Sequence, residues 1–151
     1  MEDSLIIQEN DFMKIREKIR RNKDRKVIFF SNDDELSRKI LEKEKIDILL
    51  ISQKKRKDKQ KQRNSGFNQV LAKIAKKKNV GIGIDLDEII ESDEKEKSRI
   101  LARIKQNIRL CNKNKLKMKF ISLSGKNKRN IYDLKALGLV LGMPTWMTKS
   151  L

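Results

Sequence analysis

Two places in this chain hold residues that could do chemistry, and the first is acidic. Asp85 and Asp87 begin a segment, 85–96, that is rich in carboxylates. Carboxylate oxygens are the ligands that Mg²⁺ prefers, so this pair could hold the ion. Acidic residues are also favoured in the first turn of a helix, and we regard this as the stronger interpretation. The segment is also the one place where a basic protein surface could dock.

The second place is the turn Ser124-Gly125-Lys126, which resembles part of a phosphate-binding loop. Phe120 stands where such a loop has its first glycine, and Asn127 where it has Ser or Thr, so nucleotide hydrolysis is not expected. A turn at the end of a strand, followed by basic residues and a helix, can still bind a phosphate oxygen. Phosphate contact and ordinary turn chemistry remain equal alternatives.

The absence of histidine excludes the commonest catalytic sites. Ser-His-Asp and Cys-His nucleophiles and most zinc hydrolases need an imidazole, and this chain has none. The one cysteine, Cys111, can form no internal disulfide and falls at a core spacing. We therefore assign no catalytic residue, no metal ligand and no cofactor bound by the protein itself.

Positive charge is the dominant feature of the composition. The 151 residues include 38 Lys and Arg against 21 Asp and Glu, a formal net charge of +17. Segments 51–80 and 101–130 hold most of the excess. Such concentrations attract polyanions, although a solvated lysine-rich surface would have the same composition. With five Phe, one Tyr and one Trp, we expect binding to the charged backbone of a structured RNA and not stacking on unpaired bases.

Hydrophobic periodicity predicts five strands that alternate with five helices. The strands are expected at 4–8, 26–31, 46–52, 80–84 and 116–123. Three helices are expected after caps at Asn10 or Asp11, at Asn32 and near Ser92, and two more over about 66–77 and 131–141. Alternation of this kind requires a parallel α/β sheet in a single domain, 1–151. Periodicity leaves open whether the sheet is doubly wound or part of a barrel. No apolar run is long enough to span a bilayer, and the start Met1-Glu2-Asp3 has no targeting signal, so we expect a cytoplasmic protein.

Three stretches resemble a known family. They are GFNQVLAKIAKKKNVGI at 66–82, SLSG at 122–125 and DLKALGLVLGM at 133–143, with support from IDILL at 46–50. They are similar to the ribonuclease P protein component 3 family of archaea, related to the eukaryotic 30 kDa RNase P/MRP subunit. The resemblance is strong from about Lys26 to Met143. It departs at Arg129-Asn130-Ile131-Tyr132-Asp133-Leu134, where the family has Arg-x-Pro-Arg-Asp-Leu, so one arginine and the proline are lost.

The resemblance implies a TIM-barrel-like α/β fold, here an incomplete barrel lacking one or more N-terminal strands. It also implies a non-catalytic, RNA-binding subunit of the endoribonuclease ribonuclease P, whose RNA removes 5′ leaders from precursor tRNA with Mg²⁺. The implied partners are RNase P RNA, protein component 2, the other RNase P proteins and, through the holoenzyme, precursor tRNA. A general structured-RNA or ribosome-associated protein is the alternative, and a carboxylate-metal phosphoesterase is a distant third.

Candidate RNA contacts come from both arguments. Matching positions of the family assign Lys73 and Arg129. Charge alone adds the loop after the third strand and the turn after the fifth, with Lys54, Lys55, Arg56, Lys57, Lys59, Lys61, Arg63, Lys126 and Lys128. Both loops follow strands, so we expect them at one edge of the sheet. Lysines 76–78, 113 and 115 lie at the opposite edge and are the competing surface.

Overall fold

Five parallel strands and seven helices alternate along the chain in the computed structural model, which describes residues 4–151. The start of the chain, Met1-Glu2-Asp3, on which the targeting prediction depends, lies outside the described residues. The strands are β1 Ser4–Ile7, β2 Lys26–Ser31, β3 Ile48–Ile51, β4 Gly81–Asp85 and β5 Met118–Ile121. The helices are α1 Phe12–Arg21, α2 Asp34–Lys43, α3 Gln69–Lys78, α4 Leu86–Glu91, α5 Glu94–Lys113, α6 Ile131–Val140 and α7 Thr145–Lys149.

The strands form one sheet in the order β1-β2-β3-β4-β5. Each strand pairs in parallel with the strand before it in sequence, with Ser4 opposite Lys26, Ile28 opposite Ile48, and Ile82 opposite Met118. A doubly wound sheet reverses its strand order at a switch point, whereas a β/α barrel adds strands in sequence. The order therefore agrees with a TIM-barrel-like arrangement. Among the described residues the sheet is open, because β1 and β5 each have one neighbour.

The core lies between the sheet and the helices. Alternate strand residues such as Phe29, Leu49 and Ile82 pack against Ile15, Ile40 and Ile104 of the helices. Cys111 is buried in this core as predicted, and burial raises the pKa of its thiol to about 12.

The other face of the sheet closes around a glycine. Side chains of Ile48, Leu50 and Ile121 approach to 2.9–3.2 Å of the place where Gly83 would carry a Cβ. Gly83 thus permits close packing on this face of the sheet.

Short polar side chains begin most of the helices. Asp11, Asp33, Asn68, Asp93 and Asn130 each accept a hydrogen bond from a backbone N–H in the first turn that follows. The cap predicted at Asn32 was wrong by one residue, because the Asp33 carboxylate reaches the N–H groups of α2, whereas the cap predicted near Ser92 is confirmed at Asp93. No helix within residues 4–151 has the length and apolar character needed to cross a membrane.

Candidate nucleic-acid interface

Two basic loops and one short helix share an edge of the sheet. Loop A, residues 52–67, follows β3, and loop B, residues 122–129, follows β5. Helix α4 follows β4, the strand between them. Because parallel neighbouring strands end on the same side, all three lie at the carboxyl edge, where β/α barrels build their sites.

Glu88 of α4 holds the beginning of loop A. Its buried carboxylate accepts hydrogen bonds from the Ser52 hydroxyl, from the backbone N–H of Gln53 at 2.8 Å and from that of Lys54 at 3.3 Å. The N–H groups at the end of β3 are thereby satisfied by a charged side chain and not by a ligand.

Arg103 of α5 binds loop A at residues 53–58. The side chain is 1% exposed, and its guanidinium donates to the Gln53 carbonyl at 2.8 Å, the Arg56 carbonyl at 2.7 Å and the Asp58 carboxylate at 3.1 Å. Five donors in a planar fork suit three acceptors spread over six residues. The loop backbone is therefore fixed while most of its basic side chains stay exposed, namely Lys54, Lys55, Lys57, Lys59, Lys61 and Arg63.

Arg56 differs from its basic neighbours. Its guanidinium makes two hydrogen bonds of 2.8 Å to Asp34 at the start of α2, and its Nε donates to the Ser52 carbonyl at 2.5 Å. It also lies against Gly66, whose φ of +72° and lack of a Cβ leave room for it. Of the residues predicted to contact RNA, Arg56 is the one that the structure uses to shape the loop, so we treat it as a positioning residue.

Asp87 of α4 organises loop B. It accepts hydrogen bonds from the Ser122 hydroxyl at 2.6 Å, the Asn127 side-chain amide at 2.8 Å and the Ser124 N–H at 3.0 Å. Burial alone would raise the pKa of Asp87, but these hydrogen bonds lower it to about 2. The carboxylate is therefore ionised throughout the neutral range and holds loop B beside α4.

The backbone N–H groups of the turn in loop B donate hydrogen bonds to acceptors within the same loop. The N–H of Gly125 donates to the Ser122 carbonyl at 3.2 Å, that of Lys126 to the Ser124 hydroxyl at 3.1 Å and that of Asn127 to the Ser122 hydroxyl at 3.3 Å. A phosphate cradle needs such groups unpaired. The structure therefore favours turn chemistry over a backbone phosphate site and leaves the exposed Lys126, Lys128 and Arg129 side chains as the basic feature of loop B.

Asp85 caps α4 between the two loops. Its carboxylate accepts hydrogen bonds from the N–H groups of Asp87 at 3.0 Å and Glu88 at 3.3 Å. Burial, with a further contribution from the charge of Glu88, raises the pKa of Asp85 to about 6. Across residues 4–151 no three His, Cys, Asp or Glu side chains are grouped as a metal site would need. Asp85 and Asp93 cap helices, and Asp87 and Glu88 lie in the first turn of α4, which is the helix interpretation favoured from sequence.

A cleft of about 660 Å³ opens between loop A and α4. Its walls have opposite charge, with Lys54, Lys55 and Lys57 on one side and Asp85 and Glu91 on the other. The cleft therefore places the exposed lysines of loop A opposite the carboxylates at the carboxyl edge of the sheet.

At the opposite, amino-terminal edge of the sheet, some lysine side chains bind backbone carbonyls of the protein itself. Lys76 donates to the Lys115 carbonyl at 3.1 Å, and Lys78 donates to the carbonyls of Glu42 and Glu44 at the end of α2. These contacts stabilise helix ends. Lys73 lies elsewhere, on the exposed side of α3, so the structure places it on a different element from loops A and B.

The residues that hold loops A and B at the carboxyl edge were not identified from the sequence. Glu88, Arg103 and Asn127 were not candidates, although all three are buried. Arg103 had a detectable signal, because it falls on the inward stripe of α5 with Ile100, Ile104 and Ile108. An arginine on an apolar stripe indicates a buried partner.

Fold and site together define an α/β protein whose parallel strands are added in chain order, consistent with a TIM-barrel-like fold, and which has two braced basic loops at the carboxyl edge of its sheet. The family model for RNase P subunit p30 matches residues 6–150. The chain therefore belongs to the RNase P p30 subunit family, and the resemblance noted from sequence is confirmed.

Two known proteins show the extent of the similarity. Ribonuclease P protein component 3 of Methanocaldococcus jannaschii is 29% identical over 140 residues, which are 89% of this chain and 57% of that protein. A chain in the cryo-EM structure of archaeal ribonuclease P with mature tRNA superimposes with a TM-score of 0.78 at 21% identity, covering 97% of this chain and 62% of that one. The chain thus spans about three fifths of the length of these two proteins.

Proposed function

We propose that this protein is an RNA-binding subunit of ribonuclease P that assists removal of 5′ leaders from precursor tRNA. The observation that carries the proposal is the family match over residues 6–150, in a chain that presents exposed lysines on two braced loops. Loops that are already ordered lose little conformational entropy when they meet phosphates, so their charge is available for binding.

In this proposal the protein does not perform the cleavage. The RNA subunit supplies the catalytic centre with its own Mg²⁺, and the protein neutralises backbone charge so that RNA helices can pack. Two of the carboxylates at the carboxyl edge, Asp87 and Glu88, are engaged in holding loops B and A. The partners are RNase P RNA, protein component 2, the other RNase P proteins and precursor tRNA within the holoenzyme, in the cytoplasm.

A general structured-RNA binder is the second candidate, because charged loops neutralise any RNA backbone. The two functions differ in selectivity. We propose to measure the affinity of the full chain for RNase P RNA and for 5S ribosomal RNA in the same buffer and salt. A preference of roughly tenfold or more for RNase P RNA, about 1.4 kcal/mol, supports the subunit. Equal affinities would favour the general binder.

A further inference from the structure

Helix α6 has apolar residues on the side that faces away from the core. Leu137 packs against the core, and Gly138 is the buried residue of the helix. Tyr132, Leu139 and Val140 point the other way and are 78%, 56% and 78% exposed. With Ala136, which is also exposed, they stand at i, i+4, i+7 and i+8, the spacing of one helical stripe.

Such a stripe is unusual on a solvent-facing helix. A helix that is apolar on both sides is normally buried on both sides. Val70 and Met13 are also exposed, but each lies alone on another helix, and single exposed apolar residues are ordinary. The stripe on α6 is therefore an apolar surface that no element within residues 4–151 covers.

The rim of the stripe is mainly basic, and the exposed Asp133 adds one negative charge beside it. Val140 lines a depression of about 260 Å³ together with Lys105 and Arg109 of α5, and Lys135 stands beside the stripe on α6 itself. None of these three side chains forms an ion pair within residues 4–151. The surface thus combines an apolar centre with unpaired positive charge at its edge.

These features select one kind of occupant. RNA presents charged phosphates and would leave Leu139 and Val140 without an apolar partner. A second copy of this chain would bring a like-charged rim and another net charge of +17 to the contact. A different protein with apolar residues flanked by Asp and Glu matches both the centre and the rim.

We propose that the outer stripe of α6, formed by Tyr132, Ala136, Leu139 and Val140, is a docking surface for another protein subunit of ribonuclease P that presents an acidic-rimmed apolar face. This inference rests on the proposed function for the identity of the assembly. It moves the expected protein contact from the acidic segment 85–96, several of whose carboxylates have partners within the chain, to a surface that sequence alone did not indicate.

The test uses the full chain carrying Leu139→Glu and Val140→Glu, with Val70→Glu as the matched control on α3. Binding to each recombinant RNase P protein subunit, one at a time, is measured by isothermal titration calorimetry, and binding to RNase P RNA by filter retention. The double variant should lose roughly tenfold or more in affinity for a protein subunit and keep its RNA affinity within about twofold. The control should change neither.

A second variant, Lys135→Glu with Arg109→Glu, tests the rim without altering the apolar centre and serves if the first variant fails to fold. It should weaken the same protein contact and make the remaining affinity less sensitive to salt. Unchanged affinity for every protein subunit would overturn the inference, as would a loss confined to RNA binding or to self-association. If the unaltered chain binds neither RNase P RNA nor any subunit, the proposed function itself fails.

Discussion

The carboxylates at the start of α4 have different structural roles, because each one faces different hydrogen-bond donors. Asp87 and Glu88 follow each other in the chain, yet one holds loop B and the other loop A. Asp85 is buried and lacks donors other than the N–H groups that it caps, so its pKa rises to about 6. Arg103 completes the arrangement from α5. Two acidic residues, Asp87 and Glu88, and the buried Arg103 therefore fix the shape of the basic loops, while Asp85 caps the helix that carries the two carboxylates.

The contribution of Arg103 can be measured by Arg103→Met, which keeps the aliphatic part of the side chain. The exchange leaves the carbonyls of Gln53 and Arg56 without a donor. We expect a loss of about 3 kcal/mol in the free energy of unfolding, measured by urea denaturation. Arg99→Met, at a more exposed position one turn earlier on α5, should cost less than about 0.5 kcal/mol. Equal losses from the two exchanges would mean that Arg103 does not brace the loop.

Asp85 predicts a pH dependence of stability. Its folded-state pKa of about 6 lies above the ordinary value of 3.8, so the folded protein holds the proton more tightly than the unfolded chain does. The free energy of unfolding should therefore fall as the pH rises from about 4 to 6 and stay lower above that range. Asp85→Asn keeps an oxygen for the cap and has no charge to bury.

We expect Asp85→Asn to be more stable than the unaltered protein by about 1–3 kcal/mol at pH 7, with the difference shrinking toward pH 4. Chemical denaturation at several pH values between 4 and 8 measures it. Asp93→Asn, at the exposed cap of α5, controls for replacement of a capping carboxylate. A variant that is less stable than the unaltered protein at pH 7 would show that the charge of Asp85 is favourable in the folded state.

At the scale of elements, periodicity was enough for the strands and the longer helices. The predicted strand 26–31 has the bounds of β2, and the others differ by a few residues at their ends. Helix α4 was not among the predicted elements, because its six residues are too short for a hydrophobic period, although its carboxylates were interpreted as typical of a helix's first turn. That miss also concealed the site, since Asp87 and Glu88 are brought to the two loops by α4. Contacts such as Arg103 with loop A join residues far apart in sequence, which local pattern does not reveal.

Loop A should contribute to RNA binding through its charge. We expect Lys54→Ala, Lys55→Ala and Lys57→Ala together to lower the affinity for RNase P RNA and to reduce the slope of log K against log salt concentration by about 2. Arg56 is kept, because its removal would disturb the loop. Filter binding over a series of KCl concentrations measures the slope.

The matched control removes the same charge from the opposite edge, with Lys77→Ala, Lys113→Ala and Lys117→Ala. These three side chains are exposed and lie where α3 and α5 end and β5 begins. We expect a smaller change in slope than for loop A. A larger change would place the RNA surface at the opposite edge of the sheet.

The molecule presents two kinds of surface on one β/α framework, a basic one on loops A and B and an apolar one on α6. Loops A and B present positive charge at the carboxyl edge, α6 presents an apolar stripe, and the net charge of +17 opposes self-association. Under the proposed function, the loops bind RNA and the stripe on α6 binds another protein subunit, so that both contacts stabilise the folded chain. Any ligand selective for the folded state raises its melting temperature, so assembly and folding are linked.

The most direct test of the central claim is cleavage by the reconstituted enzyme. Precursor tRNA is incubated with RNase P RNA and Mg²⁺, with the remaining protein subunits, and with or without this chain, and release of the 5′ leader is timed. We predict that adding the chain raises the cleavage rate at limiting Mg²⁺ roughly tenfold or more, and that the chain without RNA releases no leader. An unchanged rate on its addition, or leader release by the protein alone, would contradict the account.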